Sequence, residues 1–161
     1  MIGSPDPPFG DWPVQHFDPL VGFYWCMRPA MLVSQSVVPH GSIEVIDRHN
    51  DIVDRVLAQR APEIEVAGGL FMFNDWRSVR TYDQGARARQ RERMQSRRPG
   101  YARHTVIVVD PESRLLSMAI EAANLFARVT LHSQIELVTD MALALSRVGL
   151  GPPRPEETFP S

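Results

Sequence analysis

The sequence predicts an α/β domain with a mainly parallel sheet, and three observations support this prediction. Strand-like apolar runs alternate with helical stretches in the order β-β-α-β-α-β-α-β-α. Helices of roughly 12 to 18 residues between successive strands require crossovers that place those strands parallel. Between the first two runs lies Arg28-Pro29-Ala30, which predicts a turn or an edge interruption, and the two runs are expected to pair as an antiparallel N-terminal hairpin.

The composition is that of one globular domain in a reducing cytoplasm. The chain has 161 residues, 43% hydrophobic and 22% charged, which suffices for one core. A lone cysteine, Cys26, cannot form an internal disulfide. No run approaches the roughly 18 apolar residues that cross a bilayer, and the first residues lack the basic and apolar stretches of a secretory signal. We therefore expect a cytoplasmic protein that does not insert into membranes.

Proline-rich segments flank the predicted domain, which spans residues 20–149. Residues 1–19 contain five prolines, which exclude a helix and disfavour a central strand. Three aromatic residues lie among these prolines: Phe9, Trp12 and Phe17. This segment either wraps over the domain, or is partly disordered and docks on a partner. Residues 150–161 have the composition of a disordered tail.

The first half of the domain contains two strands and a helix. Residues 21–25 and 31–38 are β-rich runs that predict the hairpin strands. From Ile43, apolar residues recur at helical spacing, and His49 lies on this stripe as a half-buried packing residue. Acids cluster early in this helix and arginines late, which suits the helix dipole. Pro62 is expected to follow its end.

The second half continues the alternation. The apolar run at residues 70–73 predicts a buried central strand. The second helix is expected from Asp83, a good N-cap, to about Arg98, before Pro99-Gly100. A strand at residues 104–109 precedes Asp110-Pro111-Glu112, which predicts the start of a third helix.

Two further elements complete the predicted order. A strand is expected at residues 134–138, and Asp140 is expected to open the last helix, which ends at Gly149. The predicted third helix has an apolar face that comprises Leu115, Met118, Ala119, Ala122 and Phe126.

Residue types that perform catalysis or bind cofactors are not grouped in this sequence. Gly68-Gly69 precedes a strand, which is the wrong side for a phosphate loop. The five histidines lack metal-ligand spacing, and no serine occurs in a G-x-S-x-G motif. Cys26 has apolar neighbours that raise the pKa of a thiol and disfavour a nucleophile. We therefore expect no enzyme, no catalytic residues, no cofactor and no metal.

Arginine is unevenly distributed along the chain. All 17 cationic residues are arginine, which indicates either a GC-rich genome or anion recognition. Nine arginines and two acids lie between Trp76 and His104, so this segment carries +7 within a chain of −2. The nine are Arg77, Arg80, Arg87, Arg89, Arg91, Arg93, Arg97, Arg98 and Arg103.

Three interpretations of this arginine-rich helix stay open. It is a solvated surface helix whose arginine stems cover apolar surface, a docking face for an acidic protein, or a site for nucleic acid or anionic lipid. The lack of interleaved aromatic residues disfavours nucleic acid. The lack of a large apolar face disfavours a membrane surface.

The residues after the third strand are the other candidates for binding. Trp76 either caps the core beneath the second helix or contributes to an interface. Asp75 either accepts hydrogen bonds from nearby loop amides or contributes to the same interface. Tryptophan, tyrosine and arginine dominate interface energetics, and the carboxyl edge of an open α/β sheet is where ligands bind. The candidate partner-binding residues are Asp75, Trp76, Arg77, Arg80, Tyr82, Arg87, Arg91 and Arg98.

The order of strands and helices over residues 20–149 resembles the STAS domain, the fold of bacterial anti-anti-sigma-factor proteins. The segment LFMFNDW at 70–76, followed by Tyr82-Asp83 and the arginine-rich helix, resembles a branch that departs from the phosphorylated type. The stretch HTVIVVDPESRLLSMAIEAANLF is similar to the next strand and helix of that branch.

This resemblance implies a non-catalytic module that docks proteins near the start of its second helix. In phosphorylated members a serine stands there, and the phosphate alters docking. Gln84 or Gly85 occupies that position here, so we expect no such switch.

The function expected from the sequence is a regulatory or scaffolding module that binds another protein with an acidic surface. The alternative is anion or nucleic-acid binding through the same arginine-rich patch. Exposed hydrophobic residues in the N-terminal segment and the edge hairpin also make self-association into a homo-oligomer an open expectation.

Overall fold

A computed structural model describes residues 3–113, 121 and 133–161. The strands within these residues are β1 (His16–Asp18), β2 (Gly22–Met27), β3 (Met31–Ser36), β4 (His40–Gly41), β5 (Leu70–Asp75), β6 (Thr81–Tyr82), β7 (Ala102–Val108) and β8 (Gln134–Val138). The α-helices within them are α1 (Ile43–Gln59), α2 (Ala61–Val66), α3 (Gln84–Gln95) and α4 (Met141–Val148).

Six strands form the main sheet, in the order β1-β2-β3-β5-β7-β8. The pairs β3–β5, β5–β7 and β7–β8 are parallel, whereas β1–β2 and β2–β3 are antiparallel. A second, two-stranded parallel sheet joins β4 to β6. The predicted α/β class, the mainly parallel sheet and the antiparallel N-terminal hairpin are confirmed.

The hairpin is extended by an edge strand that the sequence did not predict. β1 lies between Pro13 and Pro19, so the prolines flank the strand instead of interrupting its hydrogen bonds. Close packing of β2 on β3 requires Gly22, which has φ +147°, because a Cβ there would lie 2.1 Å from the carbonyl oxygen of Gln35.

Helices α1 and α2 cover one face of the sheet. The hydroxyl of Ser42 caps α1 by accepting a hydrogen bond of 3.2 Å from the backbone N–H of Val45. Ile52 and Val56 of α1 are buried against Leu32 on β3. Pro62 follows the end of α1 at Gln59, as predicted. It also lies in the first turn of α2, where its missing N–H removes no helical bond.

The opposite face is covered by residues 6–12, which we call the N-terminal strap, and by α4. The ring of Phe9 is fully buried, with its centroid 5.3 Å from that of Trp25 and 6.2 Å from that of Phe73. The indole N–H of Trp25 donates to the carbonyl of Pro13 at 2.7 Å. Of the two alternatives for residues 1–19, the strap adopts the one that wraps over the domain.

The C-terminal residues 150–161 also contact the domain, although they contain no helix or strand. The ring of Phe159 stacks on His16 with a centroid distance of 4.7 Å. The Glu157 carboxylate accepts a hydrogen bond of 3.0 Å from the backbone N–H of Arg28. The sequence predicts a disordered tail here because proline and charge dominate it, but Phe159 gives it an apolar contact with the first sheet face.

Helix boundaries differ from the predictions at two places. α3 ends at Gln95, so Arg98 lies beyond the helix, whereas Asp83 holds the predicted N-cap position, although without a side-chain capping bond. Pro111 and Glu112 form a turn where a helix start was predicted, and the apolar face assigned to the third helix falls at residues 115–126, outside the described residues apart from residue 121.

His49 on α1 is buried and shares a hydrogen bond of 2.8 Å between its Nδ1 and the hydroxyl of Tyr24. Burial, with a smaller contribution from the positive charge of Arg97, lowers the pKa of His49 from 6.5 to about 4. Between these two values the unfolded chain binds a proton that the folded chain does not. Stability therefore rises with pH across this window and is lost on acidification.

We expect acidification from pH 7 to pH 5 to lower the free energy of unfolding by about 2 kcal/mol through His49 alone. His49→Gln removes this titration and keeps an acceptor for Tyr24. Urea unfolding of both proteins at both pH values measures the difference. An equal pH-dependence in the two proteins contradicts the assignment.

Candidate functional site

Asp75, at the carboxyl end of β5, is the centre of a buried hydrogen-bond network. Its carboxylate accepts from Arg77 Nε at 2.9 Å and Arg77 Nη2 at 2.8 Å, and from Gln35 Nε2 at 3.0 Å. The bond to Asp75 raises the pKa of the Arg77 guanidinium. This pair is a two-point arginine–carboxylate contact, the geometry that guanidinium favours.

The same network holds the N-terminal strap against the sheet. Gln35 accepts from the backbone N–H of Asp6 at 2.8 Å and donates to the Asp6 carbonyl at 3.2 Å. Arg77 Nη2 donates to the carbonyl of Pro7 at 3.0 Å. In open α/β sheets this edge is where ligands bind. Here the chain's own N-terminal segment contacts the polar side chains at the ends of β3 and β5.

Trp76 and Tyr82 pack on each other beside the small sheet of β4 and β6. Their rings are stacked with centroids 6.4 Å apart, and both contact a buried cluster with Val79 and Ile107. The Tyr82 ring lies on Gly41, where a Cβ would be 2.4 Å from it. Of the two alternatives for Trp76, this geometry matches the core-capping one.

Two polar contacts connect the loop around β6 to its neighbours. Arg80 forms an ion pair with Asp110. The imidazole of His40 makes two hydrogen bonds. Its Nδ1 lies 2.6 Å from Thr81 Oγ1, and its Nε2 lies 2.8 Å from Asp83 Oδ1. A hydroxyl, an imidazole and a carboxylate thus form a chain of hydrogen bonds. Nearly half of the His40 and Asp83 side chains is exposed, so this chain is open to water.

The arginines of the second-helix region divide into two sets, and the first faces α1. These inner arginines donate to carboxylates of α1 as a ladder of ion pairs. Arg89 Nε lies 2.7 Å from Asp47, and Arg97 Nε lies 2.7 Å from Asp54. Arg93 lies between them and contacts three carboxylates: Asp47 at 3.2 Å, Asp51 at 2.7 Å and Asp54 at 2.9 Å.

The pKa shifts follow from this ladder. Burial raises the pKa of the Asp54 carboxyl, but the hydrogen bonds and charges of Arg97 and Arg93 outweigh it, so the pKa lies below its ordinary value. Burial lowers the pKa of Arg93, but its bonds to Asp51 and Asp54 leave the pKa raised.

The ladder could have been predicted from the spacing of charged residues in the two helices, which the net charge of the segment does not show. Asp47, Asp51 and Asp54 are spaced by four and three residues, so they share one face of α1. The inner arginines Arg89, Arg93 and Arg97 are spaced by four. When two neighbouring helices carry opposite charges at matching spacing, ion pairs between the helices are expected. The charges of each helix taken separately predict only a favourable interaction with its own dipole.

We expect Arg93→Gln to lower the free energy of unfolding by about 1–2 kcal/mol, because it leaves three neighbouring carboxylates without their shared guanidinium. The loss should shrink at 1 M salt, which screens the repulsion among these carboxylates. Arg87→Gln is the matched control, with an expected change within about 0.5 kcal/mol. Chemical denaturation at both salt concentrations measures these values, and equal effects of the two substitutions contradict the ladder.

The second set, which we call the outer arginines, comprises Arg87, Arg91 and Arg98. All three side chains are exposed. In the part of the chain that the structure describes, no ion pair joins Arg87 or Arg98 to an acid. Arg87 and Arg91 lie one turn apart on α3, and Arg98 follows the helix.

The eight predicted partner-binding residues therefore occupy different settings. Asp75 and Arg77 form the buried network under the strap, and Trp76 and Tyr82 pack against the core. Arg80 pairs with Asp110. The outer arginines remain on the surface. The predicted residues thus do not form one continuous patch, because strap and core side chains cover half of them.

Burial raises the pKa of the Cys26 thiol to about 11. Across residues 3–113, 121 and 133–161, no group of His, Cys, Asp or Glu side chains has the arrangement to hold a metal ion. None of the helices described there has the length and apolar character to span a bilayer. Comparison of the chain with protein-family models, curated proteins and solved structures gave no match.

Proposed function

We propose that this chain is a non-enzymatic regulatory or scaffolding module of the bacterial cytoplasm, which docks an acidic surface of another protein through the outer arginines. The resemblance of its strand and helix order to the STAS family supports a docking role. The observation that carries the proposal is the division of the arginines: the inner set is neutralised by α1, while the outer set is exposed.

Exposed guanidinium groups suit an acidic protein surface for two reasons. They form two-point bonds with carboxylates and lose little hydration on binding. A cationic surface also accelerates encounter with an acidic partner. Because the inner arginines already fix α3 against α1, this surface is held on a rigid element.

The alternative, anion or nucleic-acid binding through the same patch, is weakened by the ion pairs. At least five of the nine arginines between Trp76 and His104 pair with acids of the same chain. Nucleic-acid affinity depends on the number of phosphates that cations neutralise. Few arginines are left for that role, so we expect weak binding of generic DNA that disappears at moderate salt.

Affinity capture with the full chain as bait tests the proposal. Charge reversal in Arg87→Glu/Arg91→Glu should reduce recovery of the specific partner at least tenfold, because it replaces attraction by repulsion. The matched control is Arg55→Glu/Arg154→Glu, which makes the same change in net charge at exposed positions outside α3.

The two variants separate a local from a general charge effect. Loss of the partner with the α3 variant and retention with the control support the proposal. Equal recovery with the wild type and both variants contradicts it. If nuclease treatment abolishes the recovery of bound material, and this recovery also falls steeply with salt concentration, the result supports the nucleic-acid alternative instead.

A further inference from the structure

A shallow groove of about 380 Å³ runs along α3 beside the start of α1. Its floor contains the side chains of Ile43 and Ala88 and the backbone of Gly85. Ile43 is 47% exposed. A Cβ at Gly85 would lie 3.1 Å from Cδ1 of Ile43, so the absence of a side chain there keeps this part of the groove open.

The rim of the groove is cationic. Arg89 and Arg91 line it, and Arg87 lies one turn from Arg91 on the exposed side of α3. The one acid of the lining, Glu92, accepts a bond of 2.8 Å from Arg89 Nη1, and Arg89 Nε also pairs with Asp47 at 2.7 Å, so Arg89 adds no net positive charge to the rim. The positive charge beside the apolar floor therefore comes from the exposed Arg91 and the neighbouring Arg87.

We propose that this groove binds an acidic segment of the partner protein that inserts one aliphatic or aromatic side chain between carboxylates. The inference rests on the proposed function and adds the chemistry of the partner. The inserted side chain covers Ile43 and Ala88 and removes apolar surface from water. The flanking carboxylates meet the guanidinium groups of Arg91 and Arg87.

The shape and lining of the groove favour a protein segment over other occupants. Pockets for small molecules enclose most of their ligand, whereas this groove is open along α3. A single-stranded nucleic acid binds by stacking its bases on aromatic side chains, and the lining contains no aromatic residue. Phosphate contacts alone would leave Ile43 uncovered.

Selection from a display library of random peptides, with the immobilised full chain as target, tests this inference. We expect enriched peptides to share one large apolar residue flanked by Asp or Glu. The affinity of the most enriched peptide is then measured by fluorescence anisotropy. Ile43→Ser should weaken it about tenfold, because serine removes the apolar anchor but suits the first turn of a helix.

Leu143→Ser is the matched control, since Leu143 is 46% exposed on α4, across the sheet from the groove. Its peptide affinity should equal that of the wild type. Ala88→Trp, which fills the groove without a change in charge, should also weaken binding about tenfold. Circular dichroism confirms that each variant is folded.

The outcomes separate the two proposals. Acidic peptides that bind equally well to the wild type, Ile43→Ser and Ala88→Trp, but lose affinity for Arg87→Glu/Arg91→Glu, overturn the groove and leave acidic docking in place. No enrichment, or enriched peptides without acids, overturns the groove inference. If the affinity of the peptides is also unchanged by Arg87→Glu/Arg91→Glu, the result contradicts the proposed function as well.

Discussion

Phe9→Ala should lower the free energy of unfolding by about 3–5 kcal/mol, the range for truncation of a buried aromatic side chain. Phe9 lies in the N-terminal strap, yet its ring has no exposed surface and contacts Trp12 with centroids 4.8 Å apart. Because the strap crosses the sheet with few alternatives for repacking, we expect the cavity to remain. Urea denaturation followed by tryptophan fluorescence measures the loss.

Val14→Ala is the control for this prediction, because Val14 follows the strap and is 48% exposed. Its expected effect is within about 0.5 kcal/mol. If Phe9→Ala costs no more than Val14→Ala, the strap is not part of the core, and the account of this sheet face is wrong.

Asp75→Ala should lower the free energy of unfolding by about 3 kcal/mol. The Asp75 side chain is only 3% exposed, and its removal leaves Gln35 and Arg77 without their shared acceptor. Breaking a buried ion pair from one side costs about 3–5 kcal/mol. We expect the low end because the Arg77 side chain is 35% exposed and can recover some hydration.

A second readout connects this network to the strap. Gln35 and Arg77 both bond backbone atoms of residues 6–7, so the loss of Asp75 should also loosen the strap. Limited proteolysis should cut Asp75→Ala near the strap sooner than the wild type. Asp11→Ala, at an exposed carboxylate, should change neither stability nor proteolysis. Unchanged behaviour of Asp75→Ala in both assays contradicts the clamp.

The parts of the fold that follow from local pattern were predictable. The apolar run of β5 indicates a buried strand, and the alternation of strands and helices follows from the periodicity of apolar residues in each segment. The turn at Arg28–Ala30 follows from proline at the end of a β-rich run. Helix boundaries follow less directly from local pattern. A proline such as Pro62 occurs both after the end of one helix and in the first turn of the next, and the sequence alone does not distinguish these positions.

What the sequence did not predict depends on contacts between distant segments. β1 is a strand because it pairs with β2, and Phe9 is core because Trp25 and Phe73 lie beneath it. The charge of +7 between Trp76 and His104 indicated a cationic surface, but acids of α1 pair with the three inner arginines. The outer arginines are what remains of the predicted site.

We propose that the inner and outer arginines have separate roles, in stability and in docking, and one crossed measurement tests this division. Stability and partner affinity are measured for Arg93→Gln and for Arg87→Gln/Arg91→Gln. We expect Arg93→Gln to lose stability and to keep its affinity for the captured partner, whereas the outer variant should keep its stability and bind at least tenfold more weakly. Binding of the partner to the outer variant as tightly as to the wild type contradicts a docking role for the outer arginines.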